Sequence, residues 1–211
     1  MERFSMVPGT GAWEEDYTRR GILWSGVTHD LPELPLGSRV LELGCGNGKT
    51  LSLMIQRGWD VTAIDLSCKA VALSRNVLKG SSTAEVMVAD ARCIPVKSNA
   101  FDAVFAIHVT GHVHEPDRQE IAREVTRTLK PGGILFFCDF STLDFRFGKG
   151  HTTETSTFKR GTNIITHYFT RQEVIDLFPK LTPGSITLHQ WPMRVRGKDL
   201  VRSEIKGIFS K

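Results

Sequence analysis

The sequence predicts an α/β fold: a doubly wound, mostly parallel sheet of seven strands, with helices on both faces and an antiparallel C-terminal edge. Two observations predict this class. From Arg39 onward, short apolar runs alternate with amphipathic stretches, which is the pattern of strand-helix-strand units. The chain has 211 residues, 40% of them hydrophobic, so it is long enough to bury a full core as one domain.

The first part of the chain supplies the parallel strands and their connecting helices. The predicted strands are Arg39–Leu43, Asp60–Ile64, Ala84–Ala89, Phe101–His108 and Ile134–Asp139. The predicted helices are Lys49–Arg57, Ser67–Leu78 and Pro116–Leu129, with a further helix, Ala12–His29, outside the sheet. Ser67 is a favourable helix cap, and the segment Lys130–Gly133, with its Pro-Gly-Gly, predicts a helix stop followed by a turn.

The last part of the chain completes the sheet after a polar stretch. Two short β segments, Thr155–Lys159 and Asn163–Tyr168, suggest a hairpin over the mouth of a site. Thr170 and Glu173 have the spacing of a capping box, which predicts a short helix to Phe178. The expected antiparallel strands are Ser185–Trp191 and Leu200–Phe209.

Composition gives only broad guidance about partners and location. The net charge of +4, from 27 basic and 23 acidic residues, suits an anionic substrate or nucleic acid, but an ordinary solvated surface accounts for it more simply. The sequence has no apolar run long enough to span a membrane, and charged residues interrupt the start of the chain where a signal peptide needs an apolar core. We therefore expect a cytoplasmic protein without a membrane segment.

The cysteines and histidines do not form a recognisable metal pattern. Four cysteines lie far apart without a C-x-x-C pair, so we expect free thiols: Cys45, Cys68, Cys93 and Cys138. Three histidines follow the fourth strand: His108, His112 and His114. No cysteine close to them in sequence completes a zinc site, and Asp117 is more typical of a helix start. The sequence therefore predicts no metal site.

The most informative segment is an apolar strand that runs into three glycines and a helix: residues 40–50, V-L-E-L-G-C-G-N-G-K-T. Glycines let the backbone approach a ligand closely, and the helix start offers unpaired N–H groups. A Walker A loop would need glycine in place of Leu43. A dinucleotide fingerprint would need its third glycine in place of Lys49, so a nicotinamide oxidoreductase is a distant alternative.

The G-x-G-x-G spacing after Glu42 resembles motif I of the class I S-adenosylmethionine-dependent methyltransferases, of which E-L-G-C-G-x-G is a specific form. Two acids follow in the family's order, because Asp65 ends the second strand and Asp90 ends the third. The resemblance covers Arg39 to Asp139 and is strongest with the small type 11 methyltransferase domains. It implies a Rossmann-like fold, S-adenosylmethionine as methyl donor and S-adenosylhomocysteine as product.

The resemblance also implies which residues hold the cofactor. Asp65 would bind the ribose hydroxyls, and Asp90 the adenine amine, with the backbone of Ala91 on a ring nitrogen. Taken alone, an acid at a strand end is more often a helix cap or turn former, and only the glycine segment reverses that expectation. The implied cofactor residues are Glu42, Gly44, Cys45, Gly46, Asn47, Gly48, Asp65, Leu66, Asp90, Ala91 and His108. The chain would then divide into a lead-in (1–37), a cofactor-binding core (38–140) and an acceptor-side region (141–211).

Methyl transfer is an in-line displacement, so the protein has to align the reactants, exclude water and, for a protonated acceptor, remove a proton. In this fold the residues after the fourth strand lie beside the reacting methyl group. His108 is the first candidate for a general base and His112 the second, although His108 could equally line the adenosyl pocket through its backbone.

The acceptor is expected between the N-terminal helix and the segments beyond the fifth strand. The candidate acceptor-binding residues are Tyr17, Trp24, Arg146, His167 and Tyr168. Arg146, with Lys149 and Arg160, would bind an anionic group, whereas a solvated basic loop is the simpler alternative for each.

The sequence leaves several functions open. A small-molecule acceptor is the leading hypothesis. An RNA or tRNA methyltransferase is suggested by the basic segment Arg194–Lys198 but disfavoured because the sequence has neither an N-P-P-Y tetrapeptide nor a catalytic Pro-Cys pair. A non-catalytic S-adenosylmethionine-binding partner subunit would usually have an eroded glycine segment. The sequence identifies neither the acceptor atom (O, N, S or C) nor whether the protein is a monomer or a homodimer.

Overall fold

The structure is a computed structural model that describes residues 10–23, 30–78, 80–161 and 163–211. Its strands are β1 Arg39–Leu43, β2 Asp60–Asp65, β3 Ala84–Val88, β4 Phe101–Ile107, β5 Leu129–Phe140, β6 His151–Glu154, β7 Thr157–Lys159, β8 Ile165–His167, β9 Thr182–Val195 and β10 Lys198–Ser210. Its helices are α1 Thr10–Arg20, α2 Lys49–Gln56, α3 Cys68–Ser74, α4 Glu115–Thr128 and α5 Arg171–Leu177. None of these helices combines the length and apolar character needed to cross a membrane.

The main sheet has seven strands in the order β3-β2-β1-β4-β5-β10-β9. Strands β1 to β5 pair in parallel, and β10 pairs antiparallel with both β5 and β9. This confirms the predicted Rossmann-like sheet with its antiparallel C-terminal edge. The strand order reverses between β1 and β4, where the crossovers move to the other face of the sheet.

Both faces of the sheet are covered, which explains why its central strands are continuous apolar runs. On β5, Leu135 and Phe137 pack into a cluster with residues of α4 and α5. The alternate residues Phe136 and Cys138 pack into a second cluster, with residues of α2 and α3. Burying each such aromatic or aliphatic side chain contributes about 1.5–3 kcal/mol. The alternation fixes the register, because a slip of one residue would exchange the two faces.

Between α1 and β5, three predicted element boundaries differ from the structure by more than two residues. Helix α1 ends at Arg20, where Gly21 follows with a φ of 69°, so the helix does not continue through residues 21–23 as predicted; residues 24–29 lie outside the described residues. Helix α3 ends at Ser74 and continues as turns. Strand β5 begins at Leu129, so the Pro-Gly-Gly segment predicted as a turn is an irregular start of this strand, with a register shift against β4.

The C-terminal third contains more β structure than the sequence predicted. The predicted hairpin is confirmed as β7 paired antiparallel with β8, with narrower bounds, but β6 was missed because its residues are polar and mostly exposed. Strands β9 and β10 are also longer than predicted. They are joined by Arg196 and Gly197, whose φ angles of 48° and 78° suit a two-residue hairpin turn. The basic segment Arg194–Lys198 thus surrounds a hairpin turn, where Arg194 pairs with Asp199.

Candidate active site

The carboxyl ends of the parallel strands bring the predicted cofactor residues to one edge. Leu43 of β1 pairs with Ile64 of β2, and Ile107 of β4 pairs with Cys138 of β5. The next residues, Gly44, Asp65, His108 and Asp139, therefore lie side by side at the carboxyl edge of the sheet. Ligands of doubly wound folds bind at this edge, next to the point where the strand order reverses.

The glycine segment forms a close turn that larger residues would not permit. Gly44, Gly46 and Gly48 have φ angles of 61°, 56° and 83°. A Cβ at Gly44 would lie 2.5 Å from Cγ2 of Val109, and a Cβ at Gly48 would lie 2.9 Å from Cγ2 of Val77. Both the backbone conformation and the space explain why glycine is required here.

Asp65 holds the glycine segment against the start of α3. Its Oδ2 accepts a hydrogen bond from the backbone N–H of Gly46 (2.8 Å), and its Oδ1 accepts one from Ser67 (2.9 Å). Burial raises the pKa of Asp65, whereas these two hydrogen bonds oppose the shift. A carboxylate oxygen can accept more than one hydrogen bond, so Asp65 retains acceptor capacity for a ligand.

Glu42 lies beneath this segment with a carboxyl group that is not satisfied. The residue is 4% exposed, and its buried Oε2 has no hydrogen-bond partner among the residues that the structure describes. Burial, with a smaller repulsion from Asp65, raises the pKa of Glu42 to about 8. An orphaned buried carboxyl favours a donor or cation from a ligand. This fits S-adenosylmethionine, whose ammonium and sulfonium groups are positively charged.

Asp90 is held by a cation that the sequence analysis missed. Its carboxylate accepts hydrogen bonds from Nε and Nη2 of Arg92, at 3.0 and 2.6 Å. Nη1 of the same guanidinium reaches Asp117. Partial burial would raise the pKa of Asp90, but the hydrogen bonds from Arg92 lower it overall. The carboxylate is therefore ionised and fixed in place at the end of β3, and its predicted contact with adenine stays a prediction.

His108 occupies an unusual position at the end of β4. It has a φ of 53°, a left-handed conformation that is uncommon outside glycine. Its Nε2 lies 2.9 Å from Oε1 of Glu204, and its Nδ1 lies 3.5 Å from Oδ1 of Asp139. Burial would lower the pKa of His108, but the two carboxylates outweigh it and raise the pKa to about 9. At neutral pH His108 is an imidazolium, a state that opposes its predicted role as general base.

Asp139 positions the segment that follows β4. Its Oδ2 accepts hydrogen bonds from Oγ1 of Thr110 (3.1 Å) and from the backbone N–H of Gly111 (2.7 Å). A Cβ at residue 111 would lie 2.6 Å from Oδ1 of Asp139, so this contact also requires glycine. The single helical turn Thr110–His112 is therefore fixed against β5.

All four cysteines are thiols, as predicted, but Cys138 lies where sequence spacing could not place it. Cys138, His108 and Glu204 offer ligand atoms that all lie within 4.8 Å of one another. The Sγ of Cys138 lies 3.6 Å from Oε2 of Glu204, and burial raises the pKa of this thiol well above its usual value. The three residues thus form a hydrogen-bonded cluster around a protonated thiol.

His112 has a different protonation state from His108. Its Nδ1 lies 2.8 Å from the backbone carbonyl of Ile165 in β8, and a carbonyl only accepts, so Nδ1 carries the proton. Burial lowers the pKa of His112, so the imidazole is neutral and its Nε2 is an acceptor. Of the two predicted candidates, His112 is in the state that a general base requires.

Helix α1 crosses the edge of the sheet above these residues. Oε2 of Glu14 accepts hydrogen bonds from Oγ of Ser67 (2.6 Å) and from the backbone N–H of Lys69 (3.1 Å). The ring of Trp13 meets the ring of His112 edge-on, with centroids 4.9 Å apart. Helix α1 therefore reaches from the end of β2 to the segment after β4. An open cleft of about 260 Å³ lies between α1 and the loop after β7.

The acceptor-side predictions have different outcomes. Tyr17 is 3% exposed and packs beside Trp13, and Trp24 lies outside the described residues. Both ring nitrogens of His167 are engaged within the protein, Nδ1 with Thr157 and Nε2 with Glu173, each at 2.7 Å. This imidazole joins β7, β8 and α5 and leaves no ring nitrogen for a substrate, which corrects its predicted role.

The two other acceptor-side residues lie together. Tyr168 is buried, with its ring 6.2 Å from that of Phe140, which in turn lies 4.5 Å from the ring of His108. Arg146 is half-buried, and its charge acts on Tyr168. The predicted pair, Arg146 and Tyr168, thus lies near the carboxyl edge of the sheet, with the ring of Phe140 between Tyr168 and His108.

The known proteins that this chain resembles are methyltransferases. Residues 41–137 match the sequence model of a methyltransferase domain. The 2-methyl-6-phytyl-1,4-hydroquinone methyltransferase of Synechocystis sp. is 32% identical over 132 residues, which cover 62% of this chain and 40% of that protein. The tRNA N(3)-cytidine methyltransferase METTL2 of Gallus gallus is 31% identical over 164 residues, covering 72% of this chain and 44% of that protein. The chain therefore spans less than half the length of either relative.

A solved structure supports the same fold. The crystal structure of an S-adenosylmethionine-dependent methyltransferase from Methanosarcina mazei superposes with a TM-score of 0.71 at 24% identity, covering 84% of this chain and 94% of that one. The sheet order and the glycine segment after β1 define a Rossmann-like methyltransferase fold. Residues 41–137 therefore belong to the methyltransferase domain family, and the fold is that of the class I S-adenosylmethionine-dependent methyltransferases.

Proposed function

We propose that this chain transfers the methyl group of S-adenosylmethionine to a small-molecule acceptor. The main observation behind the proposal is the buried Oε2 of Glu42, which has no partner among the described residues. It lies beside the glycine segment, which Asp65 fixes through its hydrogen bond to Gly46. When bound, the cofactor supplies a methyl group on a positively charged sulfur, which a nucleophilic atom of the acceptor attacks in line. The acceptor gains the methyl group, and S-adenosylhomocysteine leaves.

This proposal assigns a ligand contact to each of the predicted cofactor residues at the carboxyl edge of the sheet. Glu42 gives up its proton and accepts from the cationic methionine end, and Asp65 accepts from the ribose hydroxyls. Asp90 and the backbone of Ala91 contact the adenine. The backbone of the glycine segment and of the residue after Asp65 encloses the ligand: Gly44, Cys45, Gly46, Asn47, Gly48 and Leu66.

The proton of the acceptor is taken by His112 rather than by His108. His112 is neutral with Nε2 as its acceptor, whereas His108 is charged between Asp139 and Glu204. In this assignment, His108 positions the edge through its carboxylate partners and its backbone lines the adenosyl pocket. A base is needed only for an acceptor whose nucleophilic atom carries a proton, such as a phenol.

The acceptor is proposed to be a small molecule because the basic segment that suggested a nucleic acid is confined to a hairpin turn and partly neutralised by an acid. The basic segment Arg194–Lys198 surrounds the turn between β9 and β10, and Arg194 is paired with Asp199. The relatives include both a hydroquinone methyltransferase and a tRNA methyltransferase, so a tRNA acceptor is the second candidate. Cytoplasmic location and the monomeric or homodimeric state stay predictions.

The first test is a calorimetric titration of the purified chain with S-adenosylmethionine, S-adenosylhomocysteine and NAD in parallel. We expect binding of the two adenosyl-sulfur ligands and none of NAD. The second test incubates the chain with cofactor carrying a labelled methyl group and either a hydroquinone or unmodified tRNA. Label in the hydroquinone supports the proposal, label in tRNA favours the second candidate, and cofactor binding without any transfer favours a non-catalytic subunit.

A further inference from the structure

Tyr168 carries a buried hydroxyl group that nothing in the described part of the chain satisfies. The residue is 1% exposed, and its Oη is buried without a hydrogen-bond partner. Three aromatic rings pack around the ring of Tyr168, those of Phe140, Phe147 and Phe158, and their centroids lie 5.8 to 6.2 Å from its centroid. Leaving such a group unpaired costs stability, so the hydroxyl is available to a ligand that can accept its hydrogen bond.

The same region has an excess of positive charge. Arg202 forms an ion pair with Asp144, in which its Nε lies 2.6 Å from Oδ2. The half-buried guanidinium of Arg146 lies over the ring of Phe145, and no carboxylate of the described residues forms an ion pair with it. Burial, together with the charges of Arg202 and Arg160, lowers the pKa of Arg146. A guanidinium in this setting favours an anion as its partner.

This region adjoins the proposed site of methyl transfer. The ring of Phe140 lies 4.5 Å from the ring of His108 on one side and 6.2 Å from that of Tyr168 on the other. Arg202 lies 4.4 Å over the same ring. Phe147, which is 39% exposed, gives the region an open side. A flat molecule held here would reach the edge where the methyl group is presented.

We propose that Arg146 and the hydroxyl of Tyr168 bind a carboxylate of the methyl acceptor, and that the surrounding phenylalanine rings hold its flat apolar body. A carboxylate has two oxygens, so it accepts from the guanidinium and from the hydroxyl at once. The rings provide the apolar contact that an aromatic molecule prefers. This inference rests on the proposed function and deepens it, since it names the acceptor class as aromatic carboxylic acids.

The test measures binding of benzoate and cinnamate to the chain saturated with S-adenosylhomocysteine, by ligand-observed NMR. Benzamide and cinnamamide have the same shape without the charge and serve as matched probes. We expect each acid to bind about ten-fold more tightly than its amide, because a charge-assisted pair is lost in the amide. Arg146→Gln and Tyr168→Phe are each expected to weaken acid binding about five-fold or more and to weaken amide binding less, because the amide loses only a neutral hydrogen bond.

Two controls distinguish a specific contact from a general loss of positive charge or of folding. Arg123→Gln removes an exposed arginine of α4 and is expected to leave acid binding unchanged. Tyr168→Phe removes an unpartnered hydroxyl, so its melting temperature should not fall, which excludes misfolding as the cause of weaker binding. Acids and amides that bind alike, or an equal loss in Arg123→Gln, would overturn the inference while the proposed function stands. Failure of S-adenosylhomocysteine itself to bind would overturn both.

Discussion

At the scale of single residues, the protonated carboxyl of Glu42 links cofactor binding to pH. Its pKa is about 8, so it is mostly neutral at pH 7. A cationic ligand favours the ionised form, so binding of S-adenosylmethionine near pH 7 is expected to release about one proton. Calorimetry in buffers of different ionisation enthalpy measures this release directly.

A Glu42→Gln variant tests that prediction. It keeps the size of the side chain and removes the ionisable group. Proton release should disappear, and affinity should fall about ten-fold because a charge-assisted contact becomes a neutral one. Proton release that persists unchanged in the variant would assign the linkage to another group.

The second prediction at this scale concerns Asp65. Asp65→Ala is expected to weaken S-adenosylmethionine binding by about 1.5–3 kcal/mol, because hydrogen bonds from the ribose to a charged group are lost. The variant also loses the contacts to Gly46 and Ser67, so the glycine segment should be less ordered. Asp60→Asn, at the exposed opposite end of β2, is the matched control and should bind normally. Unchanged affinity in folded Asp65→Ala would refute the assignment.

Several site residues had no signal in the sequence. Glu204 lies on β10, which pairs antiparallel with β5. Its contact with His108 joins positions 96 residues apart in the chain (204 minus 108). Asp139 could have been identified, because it ends an apolar strand as Asp65 does. The protonation states of His108 and His112 depend on these partners, so the order of the two base candidates could not be predicted.

At the scale of elements, one carboxylate holds helix α1 on the start of α3. Glu14 accepts from Ser67 and Lys69, so it fixes α1 on the start of α3. Glu14→Gln is expected to loosen α1 and to increase the dissociation rate of S-adenosylhomocysteine several-fold, since a hydrogen bond to a charged group contributes about 1.5–3 kcal/mol. Stopped-flow displacement measures the rate, and hydrogen exchange over residues 10–20 measures the loosening.

Glu15→Gln provides the control for that prediction. Glu15 is the exposed neighbour of Glu14, so its substitution makes the same chemical change away from Ser67. Its dissociation rate should equal that of the unsubstituted chain. Equal acceleration in both variants would mean that general charge, and not the docking of α1, controls release.

The elements themselves were predictable where burial on two faces produced continuous apolar runs. Strands β1, β2 and β4 start at the predicted residues and end within one residue of the prediction for this reason. Strand β6 could not be predicted, because its polar residues gain their structure from pairing with β7 and not from a buried face. The start of β5 was missed because Pro131 and Gly132 are turn residues in most settings.

At the scale of the whole molecule, two buried groups hold protons that the unfolded chain would release near neutral pH. Glu42 has its pKa raised to about 8 from a usual 4.5, and His108 to about 9 from a usual 6.5. At each pH between the usual pKa of a group and its raised pKa in the folded chain, the folded chain binds more protons than the unfolded chain. The free energy of unfolding therefore decreases as pH rises through these ranges. The contribution of Glu42 is complete below pH 4.5 and that of His108 below pH 6.5.

The raised pKa values of Glu42 and His108 predict how the stability of the ligand-free chain depends on pH. The free energy of unfolding in urea should fall from pH 6.5 to pH 9 by a few kcal/mol, since each pKa unit corresponds to about 1.4 kcal/mol. Glu42→Gln should reduce the fall below about pH 8 because it has no proton to lose, and His108→Gln should reduce it over the whole range from pH 6.5 to pH 9. A flat or rising profile in the unsubstituted chain would mean that the buried groups are ionised differently in solution. Adding S-adenosylmethionine should make the fall less steep below about pH 8 and leave it unchanged above, because the ligand ionises Glu42 and leaves the His108 cluster unchanged.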